Sequence, residues 1–280
     1  MSSSLEDTCP RTIVLTDSRG KGFSNFISNY STIKNLNCEI DIQVHPGFTV
    51  EQIAQIIEGV HQDYDYIVVC AGICNFTSKI TIDGKKSLTY PTDALSRKHI
   101  VDYTCDTLQQ LKADFGKYIN ICTIPHASLS GYIVTANKDK PLDSLQALLS
   151  VAKDQQVALL EDIKATNNEI HILAEEYETE VIDLARTFQC STLKRKRSNQ
   201  RYRVYRPSDK ELVDGVHPSK KAEDICFTKI VNVLSREIEK LFHPSTLDET
   251  LSSDCFEAIA SSAEDSQTSD NDWDFKRRCL

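Results

Sequence analysis

The sequence predicts one α/β domain built on a five-stranded parallel sheet, followed by an acidic tail. Three observations predict it. Short apolar runs alternate with longer amphipathic ones from residue 11 to about 242, which is the signature of βαβ units and a parallel sheet. The long connections at 76–96, 125–142 and 186–213 all follow strand-like runs, so a parallel sheet gathers them at its C-terminal edge, where open α/β sheets place ligands. Residues 243–280 carry nine acidic against three basic side chains, so most of the formal net charge of −9 belongs to the tail.

In chain order the expected strands are "RTIVLT" (11–16), "CEIDIQV" (38–44), "YDYIVVCA" (64–71), "YINICTI" (118–124) and "EVIDLA" (180–185). Between the second and third, "TVEQIAQIIEGV" (49–60) sets Val50, Ile53, Ile57 and Val60 at helical spacing. "DTLQQLKADF" (106–115) repeats the pattern, and "PTDALSRKH" (91–99) reads as a helix start with Thr92 or Asp93 near the cap. The longest helical stretch is 143–177, apolar at Leu145, Leu148, Ala152, Leu159, Ile163, Ile170 and Leu173 among others. "SKKAEDICFTKIVNVLSREIEKLF" (219–242) closes the domain, with residues 1–10 as an extension before it. The tail, rich in Ser, Asp and Glu, has too little apolar surface to offset its ordering entropy and is expected to be disordered, with a short helix near Cys255–Ala260. There is no internal repeat.

Composition excludes several classes. No apolar run approaches the roughly 20 residues of a membrane-spanning helix, so no membrane partner is expected. The N-terminus "MSSSLEDTCPRT" shows no basic region followed by an apolar one, which makes cytoplasmic residence the expectation. The ten cysteines are dispersed without a C-x-x-C pair and are expected as reduced thiols, with no structural metal site and no cofactor. "RRCL" at the end does not place a Cys four from the terminus and is no prenylation box.

Two segments carry candidate chemistry. Ser18, in "TDSRG" (16–20), stands where the first strand ends and a helical turn begins; there it is either a nucleophile with unpaired N–H groups at hand or a residue of a capped turn. "LVDGVHPS" (212–219) sets Asp214 three residues before His217 on a Gly-containing turn leading into the last helix. That spacing lets the carboxylate accept from one ring nitrogen while the other faces outward as a base. Both segments converge on one sheet edge, which favours catalysis. His45 and His126 also follow strands, and no chemistry is assigned to them.

On these residues the chain resembles the SGNH/GDSL hydrolase family. "TDSRG" looks like its nucleophile block, with Thr16 in place of the usual glycine. "HPGFT" (45–49) looks like the second block, "AGICNFT" (71–77) like the third, and "DGVH" (214–217) is the fourth unaltered. The resemblance spans residues 11–242. It implies a three-layer α/β/α sandwich of flavodoxin-like type and a serine esterase acting on acetyl or short-acyl esters of a small lipid, glycan or metabolite substrate. Ser18 would be the nucleophile, His217 the base and Asp214 its orienting acid, with Ser18 and Gly47 as oxyanion donors. In the third block Cys74 falls on the family's asparagine, an oxyanion donor, and Asn75 follows it, so the third donor would be Cys74 or, with the loop shifted by one residue, Asn75. A thiol is a weak donor, and losing one oxyanion donor costs about 100- to 1,000-fold in turnover. The resemblance also admits mobile genetic elements as a source, because esterases of this type occur in them.

A rival reading comes from "LKRKRSNQRYRVYRP" (193–207). Lys194, Arg195, Lys196, Arg197, Arg201, Arg203 and Arg206 stand there with no acidic residue among them, interleaved with Tyr202 and Tyr205. Such a segment is a solvated loop, an RNA-binding surface or a signal for a nuclear import factor. SGNH-like folds include binding modules without catalytic residues, so a catalytically weak module that binds RNA or a protein through this loop is the alternative.

Overall fold

The computed structural model describes residues 9–26, 38–195 and 201–242. In chain order the elements are β1 (Arg11–Thr16), β2 (Glu39–Val44), α1 (Val50–Val60), β3 (Tyr66–Cys70), α2 (Ile73–Phe76), β4 (Ser78–Ile82), β5 (Lys85–Thr89), α3 (Ala94–Phe115), β6 (Ile119–Ile121), α4 (Leu129–Ala136), α5 (Gln146–Glu176), β7 (Gln189–Arg195), β8 (Arg201–Pro207) and α6 (Lys220–Phe242). Met1–Glu239 form one compact unit; of the second, Lys240–Leu280, only the last turn of α6 is described. The expected disordered tail and the short helix near Cys255 lie outside the described residues. The eight described cysteines are free thiols, and no described helix is long and apolar enough to cross a membrane.

β2, β1, β3 and β6 form a parallel sheet in that order. Because side chains alternate along a strand, Ile13, Leu15, Ile67, Val69, Ile119 and Ile121 share one face. They join a buried core with Ile53 and Ile57 of α1, Leu108 and Leu111 of α3, and Leu159, Ile163 and Ile170 of α5. The other face offers Val14, Val68, Cys70 and Cys122 to the buried side of α6, Cys226, Phe227, Ile230 and Leu234. Phe23 and Phe26 pack their rings on Phe227 and extend that layer. This is a three-layer α/β/α sandwich.

The fifth strand is a correction. "EVIDLA" pairs with the sheet only through a parallel bridge, Cys122 to Ile182, so the sheet has four full strands. Its ladder stops because the segment turns at once: Leu184 N–H donates back to Ile182 O, Lys229 Nζ takes Asp183 O, and Ala185 N–H goes to the Thr123 hydroxyl.

Each of the three long loops contains regular structure. Residues 78–89 make an antiparallel hairpin, β4–β5, turned at Asp83 and Gly84, both at positive φ. An Asp-Gly pair between strand-like runs is the standard signal for that turn. Residues 125–142 contain α4, capped by Ser128, whose hydroxyl accepts from Gly131 N–H. Residues 189–207 pair as the hairpin β7–β8. α3 begins at Ala94 with Asp93 as its cap, so the segments read separately at 91–99 and 106–115 are one helix.

At the sheet's opposite, N-terminal edge, Lys112 is buried, with Nζ donating to Ile119 O at 2.7 Å and Thr179 Oγ1 at 2.8 Å. Burial pushes its pKa down to about 8, against the opposing pull of Glu237. The unfolded chain holds this proton to about pH 10.4, so it binds more protons than the folded chain between the two values, and stability rises with pH across that window. Raising pH from about 7.5 to about 10 should therefore stabilise wild type relative to Lys112→Met by roughly 2 kcal/mol. Urea midpoints of the two proteins measure this, and a difference that does not move with pH would exclude it.

Candidate active site

From Thr12 to Gly20 every residue is buried except Ser18. Asp17 takes the capping role, its Oδ1 accepting from Arg19 N–H at 2.9 Å, while its own N–H reaches Cys70 O. The turn therefore points Asp17 and Arg19 inward and leaves Ser18 on the outside. The cap is Asp17, and the Ser18 hydroxyl is left to another partner.

That partner is His217, whose Nε2 lies 3.0 Å from Ser18 Oγ across 199 residues of chain. On the ring's other side Nδ1 lies 2.7 Å from Asp214 Oδ2. The second carboxylate oxygen, Oδ1, accepts from the N–H groups of Val216 (3.0 Å) and His217 (2.8 Å). An ionised carboxylate only accepts, so Nδ1 carries the proton and Nε2 is left to accept from the serine hydroxyl. Burial works to raise the Asp214 pKa, and the hydrogen bonds from His217 and Val216 outweigh it, holding the group below the usual carboxylate value.

The turn that carries His217 is fixed by its surroundings. Gly215, at φ +80°, presses against the start of α4: a Cβ there would lie 2.4 Å from Ser128 O and from Tyr132 N. Its carbonyl accepts from Ser128 N–H at 2.7 Å. Val213 N–H bonds His217 O, and Ser219 N–H bonds Glu211 O, closing the loop on itself. Glu223, in the first turn of α6, accepts from Gly22 N–H and so joins that helix to the nucleophile's turn; burial raises its pKa.

Gly47 sits in the turn after β2, at φ +84° with open space where a Cβ would be. His45 N–H continues the pairing of β1 and β2 onto Thr16 O, so Gly47 and Ser18 stand at the same sheet edge. Cys74 lies in α2, half-buried; burial pushes its pKa up to about 11, so it is a thiol. Asn75 is engaged elsewhere. Its Oδ1 accepts from Val50 N–H at 2.9 Å, and its amide nitrogen donates to the Glu51 carboxylate, so both ends serve the first turn of α1.

Spacing alone did not reveal a third group. The buried Arg19 guanidinium donates to Pro125 O (2.7 Å) and His126 O (2.9 Å), and burial lowers its pKa. His126 Nε2 lies 3.1 Å from Asp209 Oδ1, and Ser128 Oγ donates to Asp209 Oδ2 at 2.6 Å. Only the strand preceding His126 marked it in the sequence; Ser128 and Asp209 carry no motif.

The basic segment forms β7–β8, whose strands pair with each other; its Gln189, Tyr205 and Pro207 line a cavity together with His126. Lys194 lies opposite Tyr202, Arg195 opposite Arg201, Leu193 opposite Arg203, and Cys190 opposite the exposed Arg206. Lys196 and Arg197 lie outside the described residues. Arg186 donates to Tyr205 OH and stacks on its ring.

The two glycines with positive φ give contrasting expectations. Gly47→Ala has only backbone strain to meet and should lose about 1–2 kcal/mol. Gly215→Ala adds a collision with α4 backbone and should lose more, roughly 3–5 kcal/mol. Equilibrium denaturation of both variants measures this; equal losses would show that α4 gives way freely.

No family model matches the chain, and no curated protein matches it. Among solved structures it is similar to a lipase/acylhydrolase from Enterococcus faecalis, with TM-score 0.51 and 17% identity over 81% of this chain and 96% of that one. An acetyl xylan esterase from Geobacillus stearothermophilus is also similar, with TM-score 0.49 and 14% identity over 82% of this chain and 94% of that one. A four-stranded parallel sheet between helical layers, superposing along nearly the whole of the first of these, gives this chain a fold of the SGNH hydrolase type.

Proposed function

We propose that the protein is a serine esterase that hydrolyses acetyl or short-acyl esters through Ser18, His217 and Asp214. The contact that supports this reading is Ser18 Oγ to His217 Nε2 at 3.0 Å, with the other ring nitrogen already held by Asp214. A serine and a base in hydrogen-bond contact, with the base oriented by a third group, is the arrangement that activates a hydroxyl nucleophile.

In this reading His217 removes the Ser18 proton as the oxygen attacks the ester carbonyl. The resulting oxyanion is stabilised by the N–H groups of Ser18 and Gly47 and by the Cys74 thiol. Collapse breaks the carbon–oxygen bond to the alcohol, which leaves with the proton from His217. Water then attacks the acyl-serine, giving its proton to His217, and the carboxylic acid departs as Ser18 regains a proton. Asp214 stays ionised and compensates the imidazolium formed in each step.

Cys74 sets the rate. Asn75 is committed to α1, so a weak S–H donor takes the place where the family has an amide, and turnover is slow for this fold.

Ser18→Ala should lower hydrolysis of a chromogenic acetyl ester by more than about 1,000-fold. A fluorophosphonate should label wild type at Ser18 and leave the variant unmodified; equal hydrolysis by both proteins would overturn the assignment. Cys74→Asn should raise kcat by about 10- to 100-fold with little change in KM. Steady-state kinetics test this, and an unchanged or lower kcat would remove Cys74 from the oxyanion site.

A further inference from the structure

We propose that Asp209 is a positioning residue that holds the nucleophile and the base at working distance. The inference rests on the esterase reading and adds to it a carboxylate outside the four sequence blocks.

The loop Pro125–Ser128 touches both halves of the site. On one side Pro125 O and His126 O accept the guanidinium of Arg19, the residue after Ser18. On the other, Ser128 N–H donates to Gly215 O, two residues before His217. Any shift of this loop therefore moves Ser18 and His217 relative to each other.

Asp209 spans the loop with one carboxylate, Oδ1 on His126 Nε2 and Oδ2 on Ser128 Oγ. Both of those side chains are buried. Asp209 also opens the short helical turn Asp209–Glu211, whose far end holds Ser219 through Glu211 O and Glu211 Oε2. The same turn thus grips the loop from Pro125 on one side and the segment just after His217 on the other. The hydrogen bond from His126 holds the Asp209 carboxyl below its usual pKa, in keeping with a charged acceptor in this place.

Loss of Asp209 should not unfold the loop. Gln156 of α5 holds it independently, donating to Ala127 O and accepting from Leu129 N–H. What Asp209 adds is the register of the loop against Arg19 and Gly215. Displacing reacting groups by about 1 Å costs up to about 100-fold in rate.

The experiment measures kcat per active site, titrated with a fluorophosphonate, together with KM and thermal midpoint, for Asp209→Ala, Ser128→Ala and the double variant on an acetyl ester. Expected are a kcat loss of about 10- to 100-fold in Asp209→Ala, a KM within about twofold and a double variant no worse than Asp209→Ala alone, because both residues act through one contact. Asp209→Asn, which keeps an acceptor and the shape, should recover part of the rate. Wild-type kcat per titrated site in both single variants would overturn the proposal, as would losses that multiply in the double. If Asp209→Ala does not fold, Ser128→Ala and Asp209→Asn carry the same test. An active wild type indifferent to Asp209 sinks this inference alone, whereas a wild type inert toward esters and toward the fluorophosphonate sinks the esterase reading with it.

Discussion

Gly215 has no side chain, and the seat this leaves against the start of α4 is the constraint on which the site depends. Its carbonyl bonds Ser128 N–H, and its Cα lies where any Cβ would strike backbone. The DGVH turn is therefore referenced to α4, α4 to the loop after β6, and that loop to Arg19 beside Ser18. Two side chains 199 residues apart meet at 3.0 Å through a backbone seat at Gly215 and a buried guanidinium clamp on the loop from Pro125.

Buried charge is distributed with the same economy. Beside the site, Arg19 gives its terminal nitrogens to two carbonyls, while its Nε is buried without a partner, and Asp17 Oδ1 accepts from Arg19 N–H. Burial nevertheless raises the Asp17 pKa and lowers that of Arg19. At the opposite edge of the sheet Lys112 is held by one carbonyl and one hydroxyl, and burial lowers its pKa as well. Buried ions left without partners cost several kcal/mol, which accounts for the care with which each of these is placed. The hairpins and α4, which carry fewer such constraints, are where the long connections take on structure of their own.

Much of this was legible in the chain. The period-two and helical patterns locate β1, β2, β3, β6, α1, α5 and α6 closely; all but β2 bury a continuous apolar face whose spacing is local, and β2 alternates Ile40 and Ile42 with the exposed Glu39 and Asp41. The hairpin β4–β5 is passed over as part of the connection 76–96, although its Asp83–Gly84 dipeptide favours the positive φ the turn adopts. The truncated fifth strand was not legible: "EVIDLA" has the composition of a strand, and it leaves the ladder only because Lys229 and Thr123 take its polar backbone groups.

The sequence by itself determined the fold class and brought Ser18, Asp214 and His217 into consideration together, because a strand end and a D-x-x-H turn are local patterns of backbone and spacing. Only the tertiary structure decided which partner each polar group takes. Asp17 caps the turn and frees Ser18. Asn75 gives its amide to α1. Asp209, which belongs to no motif, reaches the loop that lies between the turns of Ser18 and His217. Hydrogen-bond partners far apart in the chain depend on distances that packing alone sets, and no local pattern encodes them.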